Sequence, residues 1–371
     1  MTHRTAILNF EMTSESSPAD LDLYVFGAGA SHEHGAPMTD SIVPYAFENR
    51  QFLEAVRLDV IAQFLKTVFR FDVSGGHDGY PGLVDILSTV DMALDRKESL
   101  APGYDLRVLR EVRDALNYAI FAAIELSLLR DEKRVTDDLV GKIDLSKAVF
   151  ISLNYDVIAD IALADLLFSR DPAGTREVIL RPYPEPYPAR LDYVVEFGNV
   201  PELDRAERVP LLKLHGSFNW LWSRVTGEIY FGGFRKAIGD IYRYQPGQNS
   251  AYPEAMQDLE PILITPTHLK DLRNANLARV WHAAEAYIRR TRQLTFIGYS
   301  LPGDDLHIKY LFKRGIAGRK LSEPPLQITV VDFAEGQDVT AIQQNYQRFF
   351  GGTVTYYRRG FKQYVSEMPG I

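Results

Sequence analysis

The sequence predicts an α/β protein: a mostly parallel sheet with helices on both faces, interrupted by an inserted helical subdomain. Three observations carry that expectation. Short apolar, β-branched runs recur along the chain, several are followed by stretches of helical character, and glycine or polar turns close the runs. Buried strands alternating with helices make a parallel sheet covered by its crossover connections.

Residues 21–26 (LDLYVF) read as a short buried strand leading straight into Gly27-Ala28-Gly29-Ala30-Ser31. Residues 41–145 are far too many for one crossover helix and read as the inserted helical subdomain. Within it Phe52, Val56, Val60, Phe64 and Val68 recur every fourth residue, and residues 83–94 predict another helix. Leu109, Val112, Leu116, Ala119, Ala123 and Leu126 alternate three and four apart, which sets them on one helical face. The α/β domain, 1–40 with 146–371, resumes with strands at Ala148–Leu153, Pro210–Leu214, Leu294–Ile297 and Ile328–Val331. A weaker strand is expected at Ile262–Thr265 and an edge strand at Thr353–Tyr357. Helices are expected at Val157–Phe168, Asp304–Lys313 and Asp338–Phe350. A second, smaller insertion spans 170–208, where Pro182, Pro184, Pro186 and Pro188 favour an extended polyproline conformation. It reads as a stiff connector or as a partner-binding ligand. Gly232–Ser250 reads as a loop.

Composition narrows the class. The chain has 371 residues, with 41 Lys+Arg against 49 Asp+Glu and a formal charge of −8. With 46% hydrophobic and 24% charged residues it is globular in composition rather than disordered. The absence of cysteine excludes disulfides, thiolate metal sites and a cysteine nucleophile. The acidic balance argues against direct nucleic-acid binding, and the runs at Arg289, Arg290, Arg292 and at Arg358, Arg359 read as solvated faces or helix ends. No apolar run reaches the ~18 residues of a membrane span. The first 20 residues lack a basic head followed by an apolar run, so a cytoplasmic protein is expected.

The chemistry gathers at strand ends, where open parallel sheets bind ligands. The strand–GAGAS turn has small residues that let backbone N–H groups approach a diphosphate, and Ser31 adds a hydroxyl. A hydride-transferring dehydrogenase would need a third glycine where His32 stands, so that reading fails. Later strands end in Asn154-Tyr155-Asp156, His215-Gly216-Ser217, Gly298-Tyr299-Ser300-Leu301-Pro302 and Asp332. Each has a plainer reading: Asn154 and Asp156 as helix caps, His215 as a structural histidine, Phe218, Trp220 and Trp222 as core. His32 and His34 flank Glu33 without a partner cluster and read as a solvated or cofactor-covering loop, so no metal is expected.

The strings GAGAS with GAP after it, NYD, LHGS and GYSLP, in this order from Leu23 to about Asp332, resemble the sirtuin family, in particular its zinc-free prokaryotic NAD-consuming branch. The resemblance implies a Rossmann-like domain that binds NAD+ as substrate and cleaves its nicotinamide–ribose bond. By that match Gly27, Ala28, Gly29 and Ser31 surround the diphosphate, and Asn154 holds the nicotinamide ribose and orients water. Asp156 helps place the nicotinamide end, and His215 is the catalytic histidine. Gly298 and Ser300 contact the adenosine half, and Asp332 is a looser match near the adenine ribose. Deacylating sirtuins carry a four-cysteine zinc ribbon and a Pro-Asp-Phe-Arg string; this chain has no cysteine and reads Pro37-Met38-Thr39-Asp40. NAD+ hydrolysis is therefore the expected activity. The branch implies an NAD-depleting effector of bacterial antiphage defence, gated by homo-oligomer assembly or by a partner ATPase or phage-sensing protein. The alternatives are a non-enzymatic module sensing NAD or ADP-ribose, and an ADP-ribosyl transferase or deacylase using the same pocket.

Overall fold

The computed structural model describes residues 21–75, 79–128, 134–169, 209–223, 229–231, 259–266, 275–303, 305–319, 323–332, 337–352 and 354–369. The expected insertion at 170–208 and the loop at 232–250 lie outside the described residues. Strands are β1 (Leu21–Phe26), β2 (Ala148–Ser152), β3 (Leu211–Lys213), β4 (Gly216–Ser223), β5 (Ile229–Phe231), β6 (Leu259–Leu263), β7 (Thr291–Ile297), β8 (Gln327–Val331) and β9 (Val354–Tyr357). Helices are α1 (Ala28–His32), α2 (Ile42–Glu48), α3 (Ala55–Phe64), α4 (Leu83–Arg96), α5 (Leu106–Ser127) and α6 (Val135–Lys142). They continue with α7 (Ile158–Ser169), α8 (Ala275–Arg290), α9 (Leu306–Ala317), α10 (Gln337–Phe350) and α11 (Gly360–Glu367).

Six strands pair in the order β3-β2-β1-β7-β8-β9, every pair parallel. Numbered within the sheet this is 3-2-1-4-5-6, the doubly wound Rossmann order, whose direction reverses between β1 and β7. Both faces are buried, as the continuous apolar runs require. Leu23 and Val25 join Val149, Ile151, Phe296 and Val330 under α8, α9 and α10. Tyr24 and Phe26 join Phe150 and Val331 on the opposite face, under α6, α7 and α11. Helices thus cover both faces of the sheet.

The weaker strand differs from its expectation. β6 spans residues 259–263 and leaves the parallel sheet, pairing antiparallel with β4, which also pairs with β5. This small sheet begins immediately after the His215 turn, at Gly216, whose φ is +81°.

Helices α2–α5 build a separate core around Leu58, Ile61, Phe64, Leu87, Leu116 and Phe121, which also takes in Phe218 of β4. α5 starts at Asp105, whose carboxylate accepts from the N–H groups of Arg107 (2.9 Å) and Val108 (3.0 Å), a side-chain N-cap. Its three–four stripe faces inward: Leu109, Val112, Leu116 and Ala123 are fully buried. The four-residue stripe of the preceding segment does not. Of it only Phe64 is fully buried, with Val60 and Val68 packed at the edge of this core; Phe52 and Val56 are 66% and 75% exposed, and Leu58, Ile61 and Leu65 are buried beside Phe64. The stripe does not lie on one helix: Phe52 ends a short 3-10 turn, Leu53 and Glu54 are extended, α3 begins only at Ala55, and Val68 falls in the π-helical turn that follows it.

Candidate functional site

The site is assembled at the carboxyl edge of the parallel sheet, beside the switch point. Here the turn after β1 and the turn after β7 touch backbone to backbone. Gly29 N–H donates to the Gly298 carbonyl (2.8 Å), Gly27 N–H to Ile297 (2.9 Å), and Gly298 N–H to Val331 (2.9 Å). A Cβ on Gly27 would stand 2.6 Å from the Gly298 oxygen, and one on Gly298 would stand 2.1 Å from the Ala30 nitrogen. The glycines are therefore required by the mutual approach of two loops, whatever else they border. The N–H groups of Gly27, Gly29 and Ala30 are all engaged within the protein, and Ala28 opens α1.

Asn154, Ser31 and Asp156 form a directed chain of hydrogen bonds. Asn154 Nδ2 donates to the Gly27 carbonyl (2.8 Å) and to Ser31 Oγ (2.8 Å). Ser31 Oγ in turn donates to Asp156 Oδ2 (2.5 Å). A carbonyl can only accept, so the amide faces Gly27 with its NH2 group, and Asn154 Oδ1 is the acceptor it can offer a ribose hydroxyl or a water. The serine proton is aimed at Asp156 rather than outward. Asp156 also accepts from Ile158 N–H through Oδ1 (3.0 Å), so it caps the start of α7 while its other oxygen holds Ser31. Capping and membership of the site coexist in one residue.

His215 lies in the turn between β3 and β4 and is 8% exposed. Its Nδ1 stands 2.9 Å from the Leu153 carbonyl, which can only accept, so Nδ1 carries a proton and, in the neutral tautomer, Nε2 is the acceptor nitrogen. Tyr155 packs beside it, with ring centroids 6.4 Å apart, and donates its hydroxyl to the Ile264 carbonyl (2.8 Å). Burial pushes the Tyr155 phenol well above its ordinary value. Gly298 (φ +63°) and Ser300, which is exposed, lie on the same sheet edge beyond β1. Further along, half-buried Asp332 follows β8, its N–H donating to the Tyr357 carbonyl (3.1 Å) and its carbonyl accepting from Gly360 (3.1 Å). The ten expected residues thus share one edge, with Asn154, Asp156, Ser31 and Gly27 in direct hydrogen-bonded contact.

Two residues escaped the sequence reading, and a third, His34, reads in the sequence only as part of a solvated or cofactor-covering loop. Lys213, at the end of β3, is 1% exposed and ion-paired with Asp160 at 3.0 Å. Arg113 of α5 pairs with Asp91 (2.5 Å) and reaches Thr265 just past β6 (2.5 Å), tying the helical layer to the segment that Tyr155 grips. His34 is the third: its Nε2 lies 2.9 Å from Thr136 Oγ1 on α6, and it lines a small pocket with Ser31, Asn154 and Asp156. The signal for Lys213 was present, as a charge inside an apolar run; Arg113 left none.

Burial holds the His34 imidazole below its ordinary pKa; Arg134 reinforces that, while Asp156 and Asp137 oppose it. Because the unfolded chain binds the proton more readily, stability falls as pH drops below the unfolded histidine value of about 6.5, by up to about 1.4 kcal/mol per pH unit. His34→Gln is expected to flatten that loss, measured as urea midpoints of both proteins at pH 7.5 and 5.5. Parallel curves would remove His34 as the cause.

Among the described residues no group of three or more His, Asp or Glu is placed to hold a metal, and no helix is long and apolar enough to cross a membrane. No family model and no curated protein matches the chain. It is similar to solved sirtuin structures. One, from work on the structural basis of sirtuin substrate affinity, is 12% identical, with 94% of this chain and 93% of that one covered and a TM-score of 0.41. Another, on the mechanism and regulation of Sir2 enzymes, is 10% identical, covers 94% and 91%, and has a TM-score of 0.44. A Sir2–p53 peptide–NAD+ structure is 13% identical, covers 94% and 91%, and has a TM-score of 0.35. Likenesses this remote say nothing of activity, and the α/β architecture stands on the chain's own strand pairing.

Proposed function

We propose that the chain hydrolyses NAD+ at its nicotinamide–ribose bond, giving nicotinamide and ADP-ribose. The observation behind this reading is the convergence of Asn154, Asp156 and His215 on turns at the carboxyl edge of a Rossmann-ordered sheet, beside its switch point. In the reaction the C1′–N bond breaks and its electron pair returns to the pyridinium nitrogen, so nicotinamide leaves neutral. Positive charge grows on the ribose ring, and the Asn154 Oδ1 dipole and the Asp156 carboxylate stabilise it. Water adds at C1′, and its proton passes to His215 Nε2. Gly27, Ala28, Gly29 and Ser31 border the diphosphate, and Gly298, Ser300 and Asp332 border the adenosine half.

The GAGAS, NYD, LHGS and GYSLP strings supply the setting. The protein is an NAD-depleting effector of bacterial antiphage defence in the cytoplasm. Constitutive destruction of NAD+ would kill the cell, so activity is gated by homo-oligomer assembly or by a partner ATPase or phage-sensing protein. The test is nicotinamide release from NAD+ by the purified protein, with and without candidate activators. Asn154→Ala is expected to lower release about 100-fold, the usual cost of one preorganised polar group at a charged transition state. Tight NAD+ binding with no turnover in any assembly state would turn the reading toward a nucleotide sensor.

A further inference from the structure

Lys213 is a charge where the fold calls for an apolar residue. Its strand neighbours Leu211 and Leu212 are buried, and its own side chain is 1% exposed. Its ammonium has three protons and three acceptors. It donates to Asp160 Oδ2 (3.0 Å), to Ser217 Oγ (2.5 Å) and to the backbone carbonyl of Asp156. Those acceptors come from α7, from β4 and from the turn after β2.

A buried ion pair is a poor source of stability, because desolvating two charges offsets most of their attraction; well-packed apolar residues do as well or better. Burial pushes the Asp160 carboxyl up, against the pull of Lys213, which shows the cost on this pair. What apolar residues would not supply is the join. Lys213 holds the residue whose carboxylate clamps Ser31, and through Ser217 it holds the turn that carries His215. Backbone bonds run alongside, from Phe218 N–H to Tyr155 (2.9 Å) and from Leu214 N–H to Ser152 (3.0 Å).

We propose that Lys213 is a positioning residue, whose buried ammonium fixes the Asn154–Asp156 turn and the His215–Ser217 turn as one rigid unit. The inference rests on the hydrolase reading for its catalytic consequence, and its structural half is testable without it.

The test compares wild type with Lys213→Met, with Lys213→Met/Asp160→Leu, which removes both charges, and with Lys213→Gln, which keeps two N–H donors. Hydrogen exchange is followed in residues 153–158 and 213–218 and, as reference, in β1, β7 and β8. In the first two variants exchange is expected to rise in the two turns and to stay unchanged in the reference strands. For nicotinamide release, kcat is expected to fall at least about tenfold with KM changed less than about threefold, as a small misplacement of reacting groups does. Lys213→Gln recovers part of the loss. Exchange that rises evenly through the sheet, or kcat within about threefold of wild type for Lys213→Met, overturns the proposal. Should wild type release no nicotinamide, the hydrolase reading fails, and the local exchange pattern still decides the role of Lys213.

Discussion

Replacing Gly298 with alanine is expected to cost about 3 kcal/mol or more of folding stability. Left-handed backbone costs a residue with a Cβ about 1–2 kcal/mol, and forcing atoms into a packed site adds about 1–3 kcal/mol. At Gly298 both apply: φ is +63°, and the new Cβ would lie 2.1 Å from Ala30 N and 2.4 Å from the Gly29 carbonyl carbon. These are backbone atoms, so no side chain can rotate away, and relief requires the two loops to part. Gly351 provides the control. It too is left-handed, at φ +66°, but a Cβ there meets nothing within 4 Å, so its alanine variant should lose about 1 kcal/mol. Urea unfolding of both variants separates conformational strain from crowding. Equal losses would show that the loop–loop approach is looser than the contacts indicate.

The largest effect on turnover is expected at His215. His215→Ala should lower nicotinamide release about 1,000-fold, within the range for loss of a positioned general base, while NAD+ affinity changes little. The reason is local. The Leu153 carbonyl accepts a hydrogen bond from Nδ1–H and so fixes both the tautomer and the ring plane. Measuring NAD+ binding by calorimetry beside single-turnover release separates chemistry from binding. A variant that binds poorly yet cleaves normally once bound would make His215 a binding residue and leave the base unassigned.

Much of the site was legible because strand ends announce themselves. An apolar run that stops at Gly27, Asn154, His215, Gly298 or Asp332 places a polar or conformationally permissive residue on the sheet's edge, and parallel pairing puts those edges side by side. What did not show was which partner each residue would choose. The serine hydroxyl could have served a diphosphate on sequence grounds; in the fold it serves Asp156. The switch of β6 into a second sheet was invisible for a related reason, since an apolar run such as Ile262–Thr265 suggests a strand but not which edge accepts it. The Phe52 stripe failed because extended Leu53 and Glu54 break the segment before α3 begins. Lys213 could have been found, because a lysine inside a strand buried on both faces needs an acidic partner.

The contact between the two glycine turns also orders events in time. Gly27 and Gly298 are separated by 298 − 27 = 271 positions of a 371-residue chain, and Gly298 is itself hydrogen-bonded to Val331. Synthesis runs from the N-terminus, so the GAGAS loop leaves the ribosome long before the strand that closes it. Asn154 and His215 can be made, and the helical layer packed, on a nascent chain that has no switch point. The edge where these residues converge is completed only once β7 and β8 are made, and a polypeptide interrupted before β7 carries Ser31, Asn154, Asp156 and His215 without the Gly298 turn that packs against the first loop.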